Sequence, residues 1–506
     1  MTVLEAGQIE VRNADRLFIG GEWVKPSSDL QSRVISPSME REIVRVAAAD
    51  RADMDRAVAA ARFAFDHGPW PRMAAADRAD LIQALYDGIQ RRWEAFAHAW
   101  TAQVGTPIAL SRYATQGGGG IHLAYYADLI RRHPLVERHD RATGGQALVV
   151  RESVGVTAAI IPWNAPLLLT TSKLGPALAM GGAVVVKAAP ETPVEAHMLA
   201  EIVEEIGFPP GVINIVSADR AASEYLVRHP GVDKVAFTGS SAVGKHIAGI
   251  CAERVARYTL ELGGKSAAIV LEDMDPADVV PGLVAGSTFL AGQACSGLTR
   301  ILVPAHRQKD YVEALAEAYR AIAVGDPFDG GTQLGPLAIA RQRDRVEDFI
   351  RSGVAEGARI ATGGGRPSGL DSGYYVEPTV FYGADNAMRI AREEIFGPVA
   401  TVIAHDGEAD AIAIANDSPF GLGGAVFTND ADAAYRVARG MRTGNVSHNG
   451  WEFDPAYPFG GFKQSGVGRE GGFEGLHVYS EVKTIYMSAA PGSVRADGHV
   501  VDIGSL

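Results

Sequence analysis

The sequence predicts an α/β protein built from at least two units, and three observations predict it. Between residues 153 and 271, short β-rich runs at 156–161, 183–186, 212–216, 234–237 and 267–271 alternate with helical stretches. That alternation is the pattern of a parallel sheet with crossover helices. After about 272 it resumes, with a helical 311–322 and a glycine-rich 363–365 leading into β-prone 374–381. The 58 glycines among 506 residues fall in short turns rather than in one low-complexity tract, as tight turns and close backbone approaches require.

The elements follow in order. Met54, Val58, Ala61 and Phe65 recur at the three-to-four-residue step of a buried helical face, with Asp50 as its N-cap. Residues 133–150 read as a charged turn followed by β-prone 147–150. Gly181-Gly182 closes the first crossover helix, Pro193 suits the opening turn of the next, and Gly207 its end. Near the end, 482–487 is an isolated β-prone run, the kind of outlying strand that pairs elsewhere in the chain or on another subunit. No internal repeat is present.

Composition excludes several classes. The 47 Lys+Arg against 60 Asp+Glu leave a formal net charge of −13, and an anionic surface repels nucleic-acid phosphates. At 47% hydrophobic and 21% charged, the chain is neither disordered nor a membrane protein. The first residues lack the basic flank and unbroken apolar core of a signal peptide, so a cytoplasmic protein is expected. Cys251 and Cys295, the two cysteines, cannot form a disulfide framework and suit a reducing compartment. No His/Cys/Asp cluster has metal-ligand spacing, and no metal is expected.

Several residues could carry chemistry. Cys295, in Gly292-Gln293-Ala294-Cys295-Ser296, is flanked by small residues that leave its thiol open to act as a nucleophile. A lone cysteine is more often a buried structural one, which is also how Cys251 reads. Glu261 ends an apolar run and opens Glu261-Leu262-Gly263-Gly264-Lys265, placing a carboxylate at a strand end, where open α/β sheets put their sites; a solvated glutamate paired with Lys265 is the ordinary alternative. In Pro162-Trp163-Asn164-Ala165-Pro166, two prolines fix the backbone around Asn164, a pinned amide suited to an oxyanion or to a simple turn. Thr238-Gly239-Ser240 links a strand to a helix, where Ser240 could meet a phosphate or cap the helix. Lys187 is a cation at the end of a strand, against the alternative of a snorkelling lysine.

Taken together these residues resemble the NAD(P)-dependent aldehyde dehydrogenase superfamily over nearly the whole chain. The landmarks, in order, are Phe18-Ile19-Gly20-Gly21-Glu22-Trp23, the Pro-Trp-Asn turn, Lys187, Phe237-Thr238-Gly239-Ser240, Glu261-Leu262-Gly263-Gly264-Lys265, Gly292-Gln293-Ala294-Cys295, Glu394-Ile395-Phe396-Gly397-Pro398 and the run from Pro458 to Gly466. The resemblance implies that Cys295 attacks an aldehyde, that Asn164 and the Cys295 N–H hold the oxyanion, and that hydride passes to NAD. It makes Glu261 the base that hydrolyses the thioester and puts Lys173 in a proton route. It assigns Trp163, Lys187, Gly239, Ser240, Leu262, Glu394 and Phe396 to the cofactor, and Asn449 to support of the catalytic loop.

Two departures from the family pattern refine these expectations. Pro190 stands where many members have a glutamate that accepts from the adenosine ribose, and Arg220 lies in a nearby loop, so NAD use with tolerance of NADP is expected. Ala165 and Ser172 replace bulky aromatics of the substrate tunnel, which with Phe289, Ser296, Trp451, Phe453 and Phe459 implies a wide tunnel for bulky or long apolar aldehydes; the alternative is that other side chains refill the space. Leu290 also replaces a common asparagine, and His448 an apolar residue. The implied architecture is a Rossmann-like cofactor domain (1–132 and 152–262), a catalytic α/β domain (263–477) and a small bridging β-hairpin (133–151) that with 478–506 pairs between subunits of a homodimer or homotetramer. The rival readings are a cofactor-independent thiol esterase or acyltransferase using Cys295 and Glu261, and a non-catalytic scaffold on an enzyme fold.

Overall fold

The computed structural model describes residue 9, residues 11–489, and residues 491, 492 and 494; the expected tail at 489–506 lies almost wholly outside them. Among the described residues, two large sheets and two small ones, of three and two strands, organise the chain.

The first sheet has five parallel strands in the spatial order Arg257–Glu261, Lys234–Thr238, Val156–Ile160, Ala183–Ala188, Ile213–Ser217. The chain starts in the middle, runs out to one side, then crosses back. Alternate residues of a strand serve opposite faces: Val184 and Val186 pack against Leu174, Leu178, Leu199 and Ile202, whereas Ala183 and Val185 pack toward Met54, Val58 and Ala61. Burial on both faces is why the inner strands read as largely apolar runs, whereas the outer Arg257–Glu261, with Arg257 exposed, does not. Asp50 caps the helix Arg51–Asp66 through a reciprocal capping box with Asp53. Gly181 and Gly207 take left-handed φ of 82° and 72° where the crossover helices end, a conformation that costs other residues about 1 kcal/mol.

Antiparallel Leu17–Ile19 and Glu22–Val24 extend one edge of this sheet, and Gly466–Val467 the other. Gly466–Val467 falls in the stretch expected to belong to the second unit, yet it hydrogen-bonds beside Glu261.

The second sheet orders its parallel strands Thr379–Tyr382, Val399–His405, Arg300–Pro304, Ala267–Val270, Gly424–Phe427, covered by the helices Pro276–Thr288 and Gln308–Arg320. The β-prone run 374–381 becomes a strand only from Thr379, because Pro378 has no N–H and Tyr374 and Glu377 bond instead to the carbonyls of Pro37 and Gly365.

Val136–Asp140 and Gln146–Ser153 form the expected hairpin, and Ser480–Met487 completes a three-stranded sheet. The pairing of 482–487, expected between subunits, is made within one chain, from Ser480 opposite Ser153 to Met487 opposite Gln146. The β-alternation of both segments satisfies that register locally. Val482, Ile485 and Tyr486 remain exposed on the outer strand. Among the described residues no helix is long and apolar enough to cross a membrane, and no group of three His, Cys, Asp or Glu is placed to hold a metal.

Candidate active site

In the first sheet the chain reverses its spatial order between Val156–Ile160 and Lys234–Thr238, and open α/β sheets bind ligands beyond the carboxyl ends of strands at such a switch. The turns leaving these two strands carry Trp163 and Asn164, and Gly239 and Ser240. Lys187 and Glu261 end neighbouring strands.

Asn164 is buried, its amide donating to the Gln293 carbonyl at 2.9 Å while Trp100 donates to the Asn164 carbonyl at 3.0 Å. One of the two amide N–H bonds is used in this way, leaving the other to donate. Gln293 is itself pinned, donating to the Leu290 carbonyl and accepting from Ala338 N, both at 3.0 Å. Ahead of it Leu290, Ala291 and Gly292 all take left-handed φ, at 53°, 53° and 71°. Two non-glycine residues held there store about 1–2 kcal/mol each. The Leu290 side chain is buried with Trp100, Val104 and Ala165. This bend leads into Cys295, which lies in the loop before the strand Arg300–Pro304.

The turn after Glu261 closes on the cysteine loop. A Cβ at Gly264 would lie 2.3 Å from the Cys295 carbonyl oxygen, and one at Gly263 2.4 Å from a Glu394 carboxylate oxygen, so only glycines permit the approach. Glu394 accepts from Gly264 N at 3.1 Å, and burial raises its pKa to about 7. Phe396, at φ 61°, sets its ring edge-on to Trp163 at 5.5 Å.

Glu261 is 4% exposed, and neither of its carboxylate oxygens has a hydrogen-bond partner in the described structure. Burial, reinforced by the Glu470 carboxylate, raises its pKa well above the ordinary range, with Lys173 and Arg469 opposing. Burial, with Glu261 and Glu394 adding to it, likewise raises the Cys295 thiol. Both shifts oppose ionisation of the resting site.

Glu470 is the principal residue that sequence reasoning missed. It accepts from Lys173 Nζ at 2.6 Å and from the Ser172 hydroxyl at 2.7 Å, and Lys173 also donates to Thr238 Oγ1 at 2.6 Å. The signal was present in Glu470-Gly471-Gly472, a carboxylate opening a glycine pair as Glu261 does. Ser172, expected in the tunnel, is thus tied to this buried pair.

The other tunnel candidates form two aromatic groups. Phe289 and Trp451 lie 4.9 Å apart, with Trp451 Nε1 donating to the Ser296 carbonyl at 3.2 Å, and Phe453 and Phe459 lie 5.6 Å apart. Ala165 sits in the apolar cluster with Leu168, Leu169 and Phe289. Asn449 grips the Thr428 backbone on both sides instead of the cysteine loop. His448 is exposed, with Nε2 against the Thr428 carbonyl. Cys251 is fully buried in the helix Ser241–Glu253.

Ser240 caps that helix, accepting from Val243 N at 3.4 Å, so the capping account of this serine holds in the structure. Between this helix and Arg220–Arg228 lies an apolar cleft of about 250 Å³, walled by Val227, Phe237, Val243, Ile247 and Ile250, with Arg220 at its lining. Lys187 is buried at the neighbouring strand end, and burial lowers its pKa to about 8. Pro190 follows it, and the next residue, Glu191, is engaged by Arg341 at 2.7 Å. Leu262 is buried, its N–H on the Ser465 carbonyl.

The aldehyde dehydrogenase family profile matches residues 23–485. A geranial dehydrogenase from Castellaniella defragrans is 46% identical over 93% of this chain and 98% of its own. A Mycobacterium tuberculosis aldehyde dehydrogenase solved with NAD+ is 43% identical, with a TM-score of 0.91 over 94% of this chain and 98% of that one. Aldehyde dehydrogenase C of Pseudomonas syringae, a cysteine-to-alanine variant solved with NAD+ and octanal, is 38% identical, with a TM-score of 0.92 over 96% and 100% of the two chains. With a thiol, a carboxylate and a pinned amide converging at one switch point, and a profile match over almost the full length, the chain belongs to the aldehyde dehydrogenase family.

Proposed function

We propose that the protein oxidises bulky or long apolar aldehydes to carboxylic acids, with NAD as hydride acceptor and tolerance of NADP. The observation that carries the reaction type is the approach of Cys295, Asn164 and Glu261 to one another, through the Gln293 contact and the close packing at Gly264.

The Cys295 thiol loses its proton to solvent water, and the thiolate sulfur attacks the aldehyde carbon. The Asn164 amide and the Cys295 N–H stabilise the resulting oxyanion. When bound, the dinucleotide supplies the acceptor for the hydride lost from that carbon, leaving an acyl group on Sγ. Glu261, ionised, takes a proton from water, whose oxygen attacks the thioester carbon and releases the acid. Lys173 and Glu470 offer the proton a path away from Glu261.

The apolar cleft beside Ser240 fits an adenine ring, and Lys187 an adenosine ribose hydroxyl. Glu394 and Phe396, beside Trp163, fit the nicotinamide end. Pro190 brings no carboxylate against a 2′-phosphate, and Arg220 brings a cation. Two aromatic pairs and the small Ala165 support an apolar substrate, as do relatives named for geranial and solved with octanal. The free outer edge of Ser480–Met487 supports a homodimer or homotetramer, and two free thiols support the cytoplasm.

The test is dinucleotide reduction across short, long, aromatic and terpenoid aldehydes with NAD and NADP separately. Long and terpenoid aldehydes are expected to exceed acetaldehyde in kcat/KM by about tenfold or more. Acetaldehyde as best substrate would refute the wide tunnel, and an NAD preference above about a thousandfold, roughly 4 kcal/mol, would refute NADP tolerance. Full-rate hydrolysis of an activated ester without dinucleotide, and no reduction with any pair, would favour the esterase reading instead. For Asn164→Ala a loss of about 10²–10³ in kcat is expected, with KM for the dinucleotide unchanged.

A further inference from the structure

Behind the cysteine loop lies a second polar site that the oxidation chemistry does not use. Its cavity, of about 10 Å³, is lined by Lys265, Ser266, Arg300, Asn416, Arg442 and Thr443 among others, and no carboxylate lines it. That is room for a single small occupant. Lys265 is 2% exposed, and its Nζ has no hydrogen-bond partner; Ser266 Oγ and Thr443 Oγ1 are equally unpartnered. Arg300, also 2% exposed, spends its guanidinium on neutral acceptors alone: the carbonyls of Lys265, Ile414 and Ala415, and Asn386 Oδ1.

The nearest acceptors are already taken. The Asn416 side-chain oxygen accepts from Arg442 N, and its carbonyl from Lys463 Nζ. Glu393 and Glu394 act on Lys265 only through space, and Glu394 is turned to Gly264 N.

We propose that this cavity binds a small monovalent anion of halide size, held by the Lys265 ammonium and the Ser266 and Thr443 hydroxyls. Charge decides between an anion and a water. Burial lowers the Lys265 pKa to about 7, with Arg300 adding to that and Glu394 and Glu393 opposing. An anion in the cavity favours the ammonium form, whereas a water leaves the amine free to stay neutral. The site also touches the reaction centre mechanically: a Cβ at Gly423 would lie 3.2 Å from both Ser266 Oγ and Ser296 Cβ. An occupant there braces the backbone that follows Cys295.

The test uses the whole protein with sodium bromide as probe. Thermal unfolding is compared in about 200 mM bromide and in sodium gluconate of equal ionic strength, for the native chain, Thr443→Val and Lys265→Met. The bromide-minus-gluconate difference in Tm is expected to be more positive by about 2 °C or more in the native protein than in either variant. The comparison with the variants removes the general salt effect. Thr443→Val keeps the test valid should Lys265→Met not fold. Anomalous scattering from a bromide-soaked crystal is expected to peak between Lys265, Ser266 and Thr443. A difference in Tm equal in the native chain and Thr443→Val, or no bromine peak in the cavity, would overturn the proposal.

Discussion

Replacing Cys295 with alanine is expected to lower kcat by about ten-thousandfold or more, with dinucleotide affinity preserved. Removing a covalent nucleophile leaves only what binding and the oxyanion donors provide. The Cys295 side chain contributes neither the Asn164–Gln293 contact nor the cleft beside Ser240, so the fold and the dinucleotide site should survive. Steady-state reduction with a long-chain aldehyde, alongside dinucleotide binding by fluorescence, checks both halves. Turnover within tenfold of the native rate would remove Cys295 from the mechanism.

Replacing Glu261 with glutamine should separate the two halves of the reaction. A burst of about one equivalent of reduced dinucleotide per site is expected, followed by a steady state slowed about 10²–10⁴-fold. The same experiment fixes the sign of the pH dependence. Burial and Glu470 raise Glu261, and burial raises Cys295; each must lose a proton to act. Native turnover should therefore increase as pH rises above neutrality. In Glu261→Gln the slow steady state should lose that rise, while the burst rate, which reports the thiol, keeps it. A variant without a burst would place Glu261 before acyl transfer rather than after it.

What could be read from the chain beforehand was what its local chemistry determines. Pro162 and Pro166 bracket Asn164, a glycine pair follows Glu261 after Leu262, and Val156–Ile160, Ala183–Ala188, Ile213–Ser217 and Lys234–Thr238 are largely apolar, so those elements lie where they were expected. The run 267–271 also forms a strand, but in the second sheet, and Arg257–Glu261 takes the fifth place in the first. Two kinds of information were absent. Glu470 acquires its place from Lys173, 297 residues away, and no spacing along the chain encodes that contact. The segment 482–487 carries a strand's alternation but nothing that says which edge it joins, and Gln146–Ser153 of its own chain provides the edge. Ser172 illustrates the same limit at one side chain: its small size was legible, whereas its hydroxyl's partner depends on a turn folded against it from the far end.

The short strand Gly466–Val467 carries a consequence for how the protein is made. It pairs directly with Leu260 and Glu261, and Ser465 beside it bonds to the Gly263 carbonyl, 202 residues earlier in the chain. At ordinary translation speeds those residues emerge about 10–40 s after the glutamate they enclose. Until then Glu261 ends an open sheet edge in contact with water, ionises like any surface carboxylate, and has neither Gly460 nor Glu470 beside it. A nascent or truncated chain ending before this strand would contain the cysteine and the amide yet lack an enclosed base. Reactive capacity is thereby withheld until this strand has been made and paired.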